Sequence, residues 1–219
     1  MWATLEPGSS PIDWCEGNYK FSPLIAEFVN TVTNIIFVIL PPLLIHLFRG
    51  YGQFVNRGIH IIWILLIFVG LSSAYFHATL SLIGQLLDEV AILWVFFVAF
   101  SMFYPRRLFP VKRFVVATVF LGAIATVLAI IHPAINAFVL MCLGIPSRGL
   151  QINFPYLHGL WHVFIFISSY TACVLFAYFS VKEEKPDKKA TLKYWPKNDF
   201  ELGIPYVSIK AHNKDLNEI

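Results

Sequence analysis

The chain has 219 residues, of which 58% are hydrophobic and only 13% charged, and its formal net charge is +3. Soluble domains of this length carry about a quarter charged residues. Together with a mean hydropathy of +0.68, the composition excludes an ordinary water-soluble globular protein and indicates a protein that lies in a bilayer.

Five apolar segments follow one another along the chain, each close to the roughly 20 residues that a membrane-spanning helix needs. We predict spans at 28–48, 59–77, 86–104, 114–132 and 157–180. The strands of a membrane barrel would instead show short alternating segments. Between the fourth and fifth spans lies a short apolar stub, 134–145, which Pro146 and Gly149 follow at once. The predicted fold is therefore all-α, a polytopic helical membrane protein with five clear spans and a stub.

The basic residues lie almost entirely on one side of this arrangement. The loops after the first and third spans and the tail after the fifth carry all but Lys20 and Arg148 of the 16 lysines and arginines. Because positively charged loops stay in the cytoplasm, we predict a lumenal or extracellular N-terminus and a cytoplasmic tail, 181–219. Residues 1–180 would form one transmembrane domain that opens with an acidic segment, 1–27. Since orientation explains the basic residues, we expect no nucleic-acid partner.

Ionisable and polar residues within the spans form three clusters, and such residues are costly in a membrane and usually functional. Ser73 and His77 are four residues apart near the end of the second span, Asp88 opens the third, and His158 and His162 open the fifth. The five-span topology places all of them at the same membrane face. Three histidines with an open fourth position are typical of a catalytic zinc site, whereas an isolated buried histidine is usually hydrogen-bonded filler.

A fourth cluster lies in the acidic segment before the first span, where Asp13, Glu16, Asn18, Glu27 and Asn30 fall within 18 residues. Calcium takes 6–8 hard oxygen ligands, which these side chains could supply. Their spacing is not that of an EF-hand loop. On spacing alone, a solvated acidic segment that caps a helix is favoured.

The clusters lie in motifs that resemble those of the alkaline ceramidase family. The matching stretches are DWCEGNY at 13–19, IAEF at 25–28 with Asn30, YFHATL at 75–80, GQLLDE at 84–89, NFPYLHGLWH at 153–162, YWP at 194–196 and IPY at 204–206. Several motifs in the correct order, over most of the chain, make the resemblance specific. It implies a seven-span membrane enzyme that hydrolyses ceramide to sphingosine and a fatty acid at alkaline pH, with calcium support.

The resemblance also implies a role for each cluster. His77, His158 and His162 would hold zinc, and Ser73 and Asp88 would complete the catalytic site. The calcium ligands would be Asp13, the Trp14 carbonyl, Glu16, Asn18 and Glu27. The substrate would be a ceramide within the bilayer of the endoplasmic reticulum or Golgi.

The chain departs from the family around residues 147–151. Relative to seven spans, the end of the fifth and all of the sixth have no counterpart, including a cysteine expected to pair with Cys15. We therefore predict a shortened variant or an incomplete gene model. In it the zinc ligands keep their topology, but one wall of the lipid cavity is absent.

Two other functions fit parts of the sequence. A zinc-binding receptor of the seven-span adiponectin-receptor type would share the three-histidine site. The acidic N-terminal cluster and an N-terminus outside the cytoplasm favour the ceramidase interpretation. A non-catalytic sphingolipid-binding variant is the alternative that the lost span raises, and detectable hydrolysis would exclude it.

Overall fold

The computed structural model describes residues 2–14, 16–104, 110–132, 156–185, 187–198, 200 and 202–210. The predicted stub, 134–145, lies outside the described residues. So do Arg148, Cys15 and the point at which the chain departs from the family pattern.

Helices dominate the described part of the chain. They are α1 (Phe28–Thr33), α2 (Ile35–Leu47), α3 (Arg49–Phe54), α4 (Gly58–Thr79), α5 (Leu82–Phe103), α6 (Val111–Ile131) and α7 (Leu157–Glu184), after a 3₁₀ turn at Trp2–Thr4. Five helical segments are long and apolar enough to cross a membrane, the first being α1 and α2 together. The predicted helical membrane fold is confirmed, and each predicted span agrees with a helix to within a few residues.

A tight turn joins α4 to α5 and brings their polar residues to one end of the bundle. Leu80 ends α4 in the left-handed conformation, with φ 49°, and its N–H donates to Phe76 O. Ser81 then caps α5 by accepting the N–H of Gly84 at 3.2 Å. Serine is a favoured N-cap because its oxygen satisfies a free N–H of the first helical turn.

The acidic N-terminal segment is attached to this same end by backbone hydrogen bonds. The N–H groups of Ala26 and Glu27 donate to the carbonyl oxygens of Ala78 and His77, both at 2.9 Å. The start of α1 is also fixed from this segment, because the Glu16 carboxylate accepts the N–H groups of Val29 and Asn30 at 2.7 and 2.9 Å. Glutamate here satisfies donors that a helix N-terminus leaves free.

The tail contains a small antiparallel sheet that the sequence analysis did not predict. Strand β1 (Lys189–Trp195) pairs with β2 (Ile204–Lys210), from Lys189 opposite Lys210 to Trp195 opposite Ile204. The hairpin packs against α3 and α7. The Tyr170 hydroxyl of α7 donates to the carbonyl oxygen of Pro205, and Val207 is buried in the helical core.

Close packing of α2 against α4 depends on Gly70, one turn before Ser73. A Cβ at this position would lie 2.6 Å from Phe37 Cβ and 3.2 Å from Asn34 O, whereas a Cβ at Gly50 would meet no atom of the described residues within 4 Å. Both positions are helical, so alanine raises helix propensity at each. We expect Gly70→Ala to cost about 1–3 kcal/mol from overpacking and to lower the Tm in detergent, while Gly50→Ala keeps or raises the parental Tm. An unchanged Tm for Gly70→Ala would contradict this packing.

Candidate metal centre

Three histidines from two helices meet in the interior at the end of the bundle described above. His77 lies in the last turn of α4, and His158 and His162 lie in the first two turns of α7. Their possible ligand atoms all lie within 4.8 Å of one another, and the Nε2 atoms of His77 and His158 are 3.2 Å apart. His77 and His162 are buried. Among the described residues, this is the group of histidine, cysteine and acidic side chains close enough to hold a metal ion.

The spacing of the His77 and His158 nitrogens is compatible with a bound metal ion. Nitrogens bound tetrahedrally at 2.0–2.1 Å from zinc lie about 3.3 Å from each other, close to the observed 3.2 Å. Each imidazole can offer one ring nitrogen to a common ion, since one possible ligand atom from each lies within 4.8 Å of the others. The triad can therefore hold a metal ion and leave one coordination position open.

His77 is oriented by a carboxylate on its other side. Glu27 Oε2 lies 2.5 Å from His77 Nδ1, and Glu27 Oε1 accepts the backbone N–H of Trp14 at 2.9 Å. Glu27 is fully buried. Burial raises the pKa of its carboxyl to about 7, against the opposing effect of the Trp14 N–H. A carboxylate on the far nitrogen of a histidine is a common second contact in metal sites, because it fixes the ring and its tautomer.

The two histidines of α7 have different neighbours. His162 Nδ1 lies 2.9 Å from Thr33 Oγ1. The ring of His158 stacks on Trp14, with centroids 4.1 Å apart and planes 9° from parallel, and it lies nearly parallel to Trp161 at 5.4 Å. The sequence analysis named Trp14 only for its carbonyl and did not name Thr33 as a site residue.

Ser73 and Asp88 lie on the two helices joined by the tight turn. Ser73 is buried one turn before His77 on α4, and its hydroxyl is within hydrogen-bonding reach of the Asp88 carboxylate on α5. Asp88 Oδ1 is buried and has no hydrogen-bond partner among the residues that the structure describes. A buried carboxylate oxygen without a partner costs free energy, so this atom is suited to accept a proton.

Two further polar residues of α5 lie beside Asp88. Gln85 Nε2 donates to Glu89 Oε1 at 2.8 Å, and Gln85 Oε1 accepts the Ser10 hydroxyl at 2.9 Å. Gln85 and Glu89 are both buried. The sequence grouped them with Asp88 but assigned them no role. The network joins the N-terminal segment to the start of α5.

The predicted calcium ligands are close in the chain but form a looser group. Asn18 Nδ2 donates to Asp13 Oδ2 at 2.9 Å, and Asp13 lies near enough to Glu27 to affect its carboxyl. Both oxygens of Glu16 accept backbone N–H groups at the start of α1. The carboxylates of Asp13, Glu16 and Glu27 do not form a cluster as tight as the histidine triad. The predicted ligand atoms are nevertheless all hard oxygens, which calcium prefers.

The chain was compared with known protein families and curated proteins. The family model for ceramidase matches residues 6–153 and 146–208. The chain belongs to the ceramidase family. The chain is similar to an alkaline ceramidase of Drosophila melanogaster, at 50% identity over 98% of this chain and 93% of the fly protein. It is 33% identical to alkaline ceramidase 1 of Homo sapiens, over 94% of this chain and 97% of the human protein.

The chain is shorter than the fly protein that it matches. The alignment with the fly protein runs over 263 positions, whereas this chain has 219 residues. Many positions of the longer relative therefore have no counterpart here. The two family matches overlap at 146–153, which is where the sequence analysis placed the departure from the family pattern. The identity of the lost segment as part of two spans stays a prediction.

Proposed function

We propose that this chain is a zinc-dependent membrane hydrolase that cleaves the amide bond of ceramide to sphingosine and a free fatty acid, at alkaline pH and with calcium support. Membership of the ceramidase family supports the substrate and the reaction. The observation that carries the chemistry is the buried histidine triad with Ser73 and Asp88 beside it. A metal-dependent hydrolase site combines a metal, a proton acceptor and an oxyanion donor.

Zinc would be held by His77, His158 and His162, with the fourth position open toward the substrate. Bound there, zinc supplies a Lewis acid for the amide carbonyl and a water nucleophile available near neutral pH. Imidazoles bind as neutral ligands, so the full charge of the zinc ion would remain available to polarise the carbonyl and the bound water.

Asp88 would move the proton in both halves of the reaction. As water attacks the amide carbon, Asp88 Oδ1 accepts its proton. When the carbon–nitrogen bond breaks, the same group delivers that proton to the amine of the departing sphingosine. The Oδ1 atom is buried and has no partner in the described part of the chain, which favours a group that must bind and release a proton during each turnover.

Ser73 would stabilise the negative charge that develops on the amide oxygen. Ser73 is buried one turn before His77, and its hydroxyl lies within hydrogen-bonding reach of Asp88, so it could turn from the carboxylate toward the substrate. One well-placed donor of this kind contributes about 3 kcal/mol to transition-state stabilisation.

Calcium would be held by the oxygens of the acidic segment, namely Asp13, the Trp14 carbonyl, Glu16, Asn18 and Glu27. Glu27 gives this segment a direct contact with His77. An ion that orders the segment would therefore also steady one zinc ligand. This contact offers a physical route for calcium to support hydrolysis.

The chain is an integral membrane protein, and its substrate would enter from the bilayer. We place it in the endoplasmic reticulum or Golgi, with the N-terminus and the metal centre on the lumenal side and the tail 181–219 in the cytoplasm. The distribution of basic residues supports this orientation.

One observation favours a second candidate function. Because many positions of the longer relatives have no counterpart here, the lipid cavity would lack part of its wall. The alternative is a shortened variant that binds zinc and sphingolipid without turnover. A zinc-binding receptor has no comparable support, because the chain is in the ceramidase family.

The deciding experiment measures fatty-acid release from a long-chain ceramide by the purified 219-residue chain in detergent, at alkaline pH with calcium. His162→Ala is assayed beside it, and zinc content is measured for both. Release by the parent and none by His162→Ala would establish the zinc hydrolase. No release by a folded, zinc-loaded parent would overturn the enzyme proposal and favour the non-catalytic variant.

A further inference from the structure

Thr33 of α1 faces α7 at the level of the histidine triad. The close approach of the two helices depends on Gly159, which lies between His158 and His162. A Cβ on Gly159 would lie 3.2 Å from Val29 Cγ1 and 3.3 Å from Thr33 Cγ2. Without a side chain at this position, Thr33 Oγ1 comes to 2.9 Å from His162 Nδ1.

The direction of this hydrogen bond is set by the backbone of α1. The Thr33 hydroxyl has one hydrogen, and its oxygen lies 2.9 Å from Val29 O and 3.1 Å from Asn30 O. Neither carbonyl can donate, and a threonine inside a helix commonly donates to the carbonyl one turn back, so we assign the hydroxyl hydrogen to Val29 O. The Thr33 oxygen is then free to act only as an acceptor toward the imidazole.

The tautomer of His162 follows from that direction. If Thr33 Oγ1 accepts, His162 Nδ1 must carry the hydrogen, and the lone pair of the ring is left on Nε2. Nδ1 points toward α1, so the free lone pair is on the nitrogen on the opposite side of the ring. The same arrangement holds for His77, whose Nδ1 faces Glu27 while its Nε2 faces His158 Nε2.

We infer that Thr33 is a positioning residue for the metal centre, which holds the ring of His162 in the tautomer and orientation that present Nε2 to the ion. The inference rests on the proposed zinc site. Thr33 does not touch the reacting atoms; it acts through His162 alone. In metal sites such outer contacts are worth about 10–100-fold in metal affinity.

The test is a zinc affinity measurement on the purified full chain, by competition with a chelating indicator at fixed pH. Thr33→Val and Thr33→Ala both remove the hydroxyl, one with nearly the same volume and one with less, whereas Thr33→Ser keeps it. Thr126→Val is the matched control, because Thr126 on α6 makes the same bond to its own helix, Oγ1 to Gly122 O at 2.8 Å. Apo-protein Tm values identify any variant that fails to fold.

We expect Thr33→Val and Thr33→Ala to bind zinc about 10–100-fold more weakly than the parent, and Thr33→Ser and Thr126→Val to match it. Saturating zinc should return the turnover of Thr33→Val toward the parental rate, which a catalytic group would not allow. Parental zinc affinity in both variants that lack the hydroxyl would overturn the inference. A parent that binds no zinc would instead overturn the proposed function, so the two failures are distinct.

Discussion

Asp88→Asn is expected to lower the rate of ceramide hydrolysis by about 10²–10⁴-fold, the usual contribution of a general acid–base group, while zinc stays bound. An asparagine side chain matches aspartate in size and shape but cannot accept the proton of the attacking water. Zinc is retained because the metal-holding group consists of His77, His158 and His162, without Asp88. Turnover and zinc content measured on the same sample check both halves of this result.

Asp187→Asn provides the matched control, since Asp187 is exposed in the turn before β1. We expect it to keep the parental rate. A parental rate in Asp88→Asn would remove Asp88 from the proton-transfer role. Loss of zinc from Asp88→Asn would give the residue a different role, that of a metal ligand.

The membrane helices and the meeting of the three histidines could be predicted from the sequence, because both depend on short-range patterns. Apolar segments of about 20 residues have one stable solution in a bilayer. The i, i+4 spacing of His158 and His162 places them on one helix face, and the alternation of spans then places His77 at the same end.

The contacts between segments far apart in the chain could not be predicted from the sequence. Thr33 and His162 are 129 residues apart, and Glu27 and His77 are 50 apart. No local pattern distinguishes Thr33 from Thr31, whose hydroxyl also bonds to its own helix, at Glu27 O. Only the approach of α7 at Gly159 selects Thr33. Gly159 is the second residue of the HGLWH stretch, but only the helix crossing explains why a glycine is needed there.

The tail hairpin was missed for a different reason. Its strands mix lysines with apolar residues, as in KATLKYW of β1, and a two-stranded hairpin is marginal by itself. Its stability comes from packing on α3 and α7, where Val207 is buried and Tyr170 bonds to Pro205. Tertiary contacts of this kind stabilise strands that the local sequence only weakly favours.

Glu27→Gln is expected to weaken zinc binding by about 10–100-fold and to reduce the calcium response of hydrolysis, although the side chain barely changes in size. The carboxylate accepts from Trp14 N–H with one oxygen and contacts His77 Nδ1 with the other. An amide has one acceptor oxygen and an NH₂ group that can only donate. One of the two N–H donors must therefore face the NH₂ group in a fully buried position.

Either orientation of the side-chain amide in Glu27→Gln disturbs the metal centre. If the amide oxygen stays on Trp14, the NH₂ group opposes His77 Nδ1–H and turns the ring or reverses its tautomer. If the oxygen moves to His77, the Trp14 N–H loses its acceptor and the acidic segment loosens. Glu6→Gln, at an exposed carboxylate of the same segment, should leave zinc affinity and calcium response unchanged. Parental values of both quantities in Glu27→Gln would show that Glu27 does not couple the acidic segment to His77.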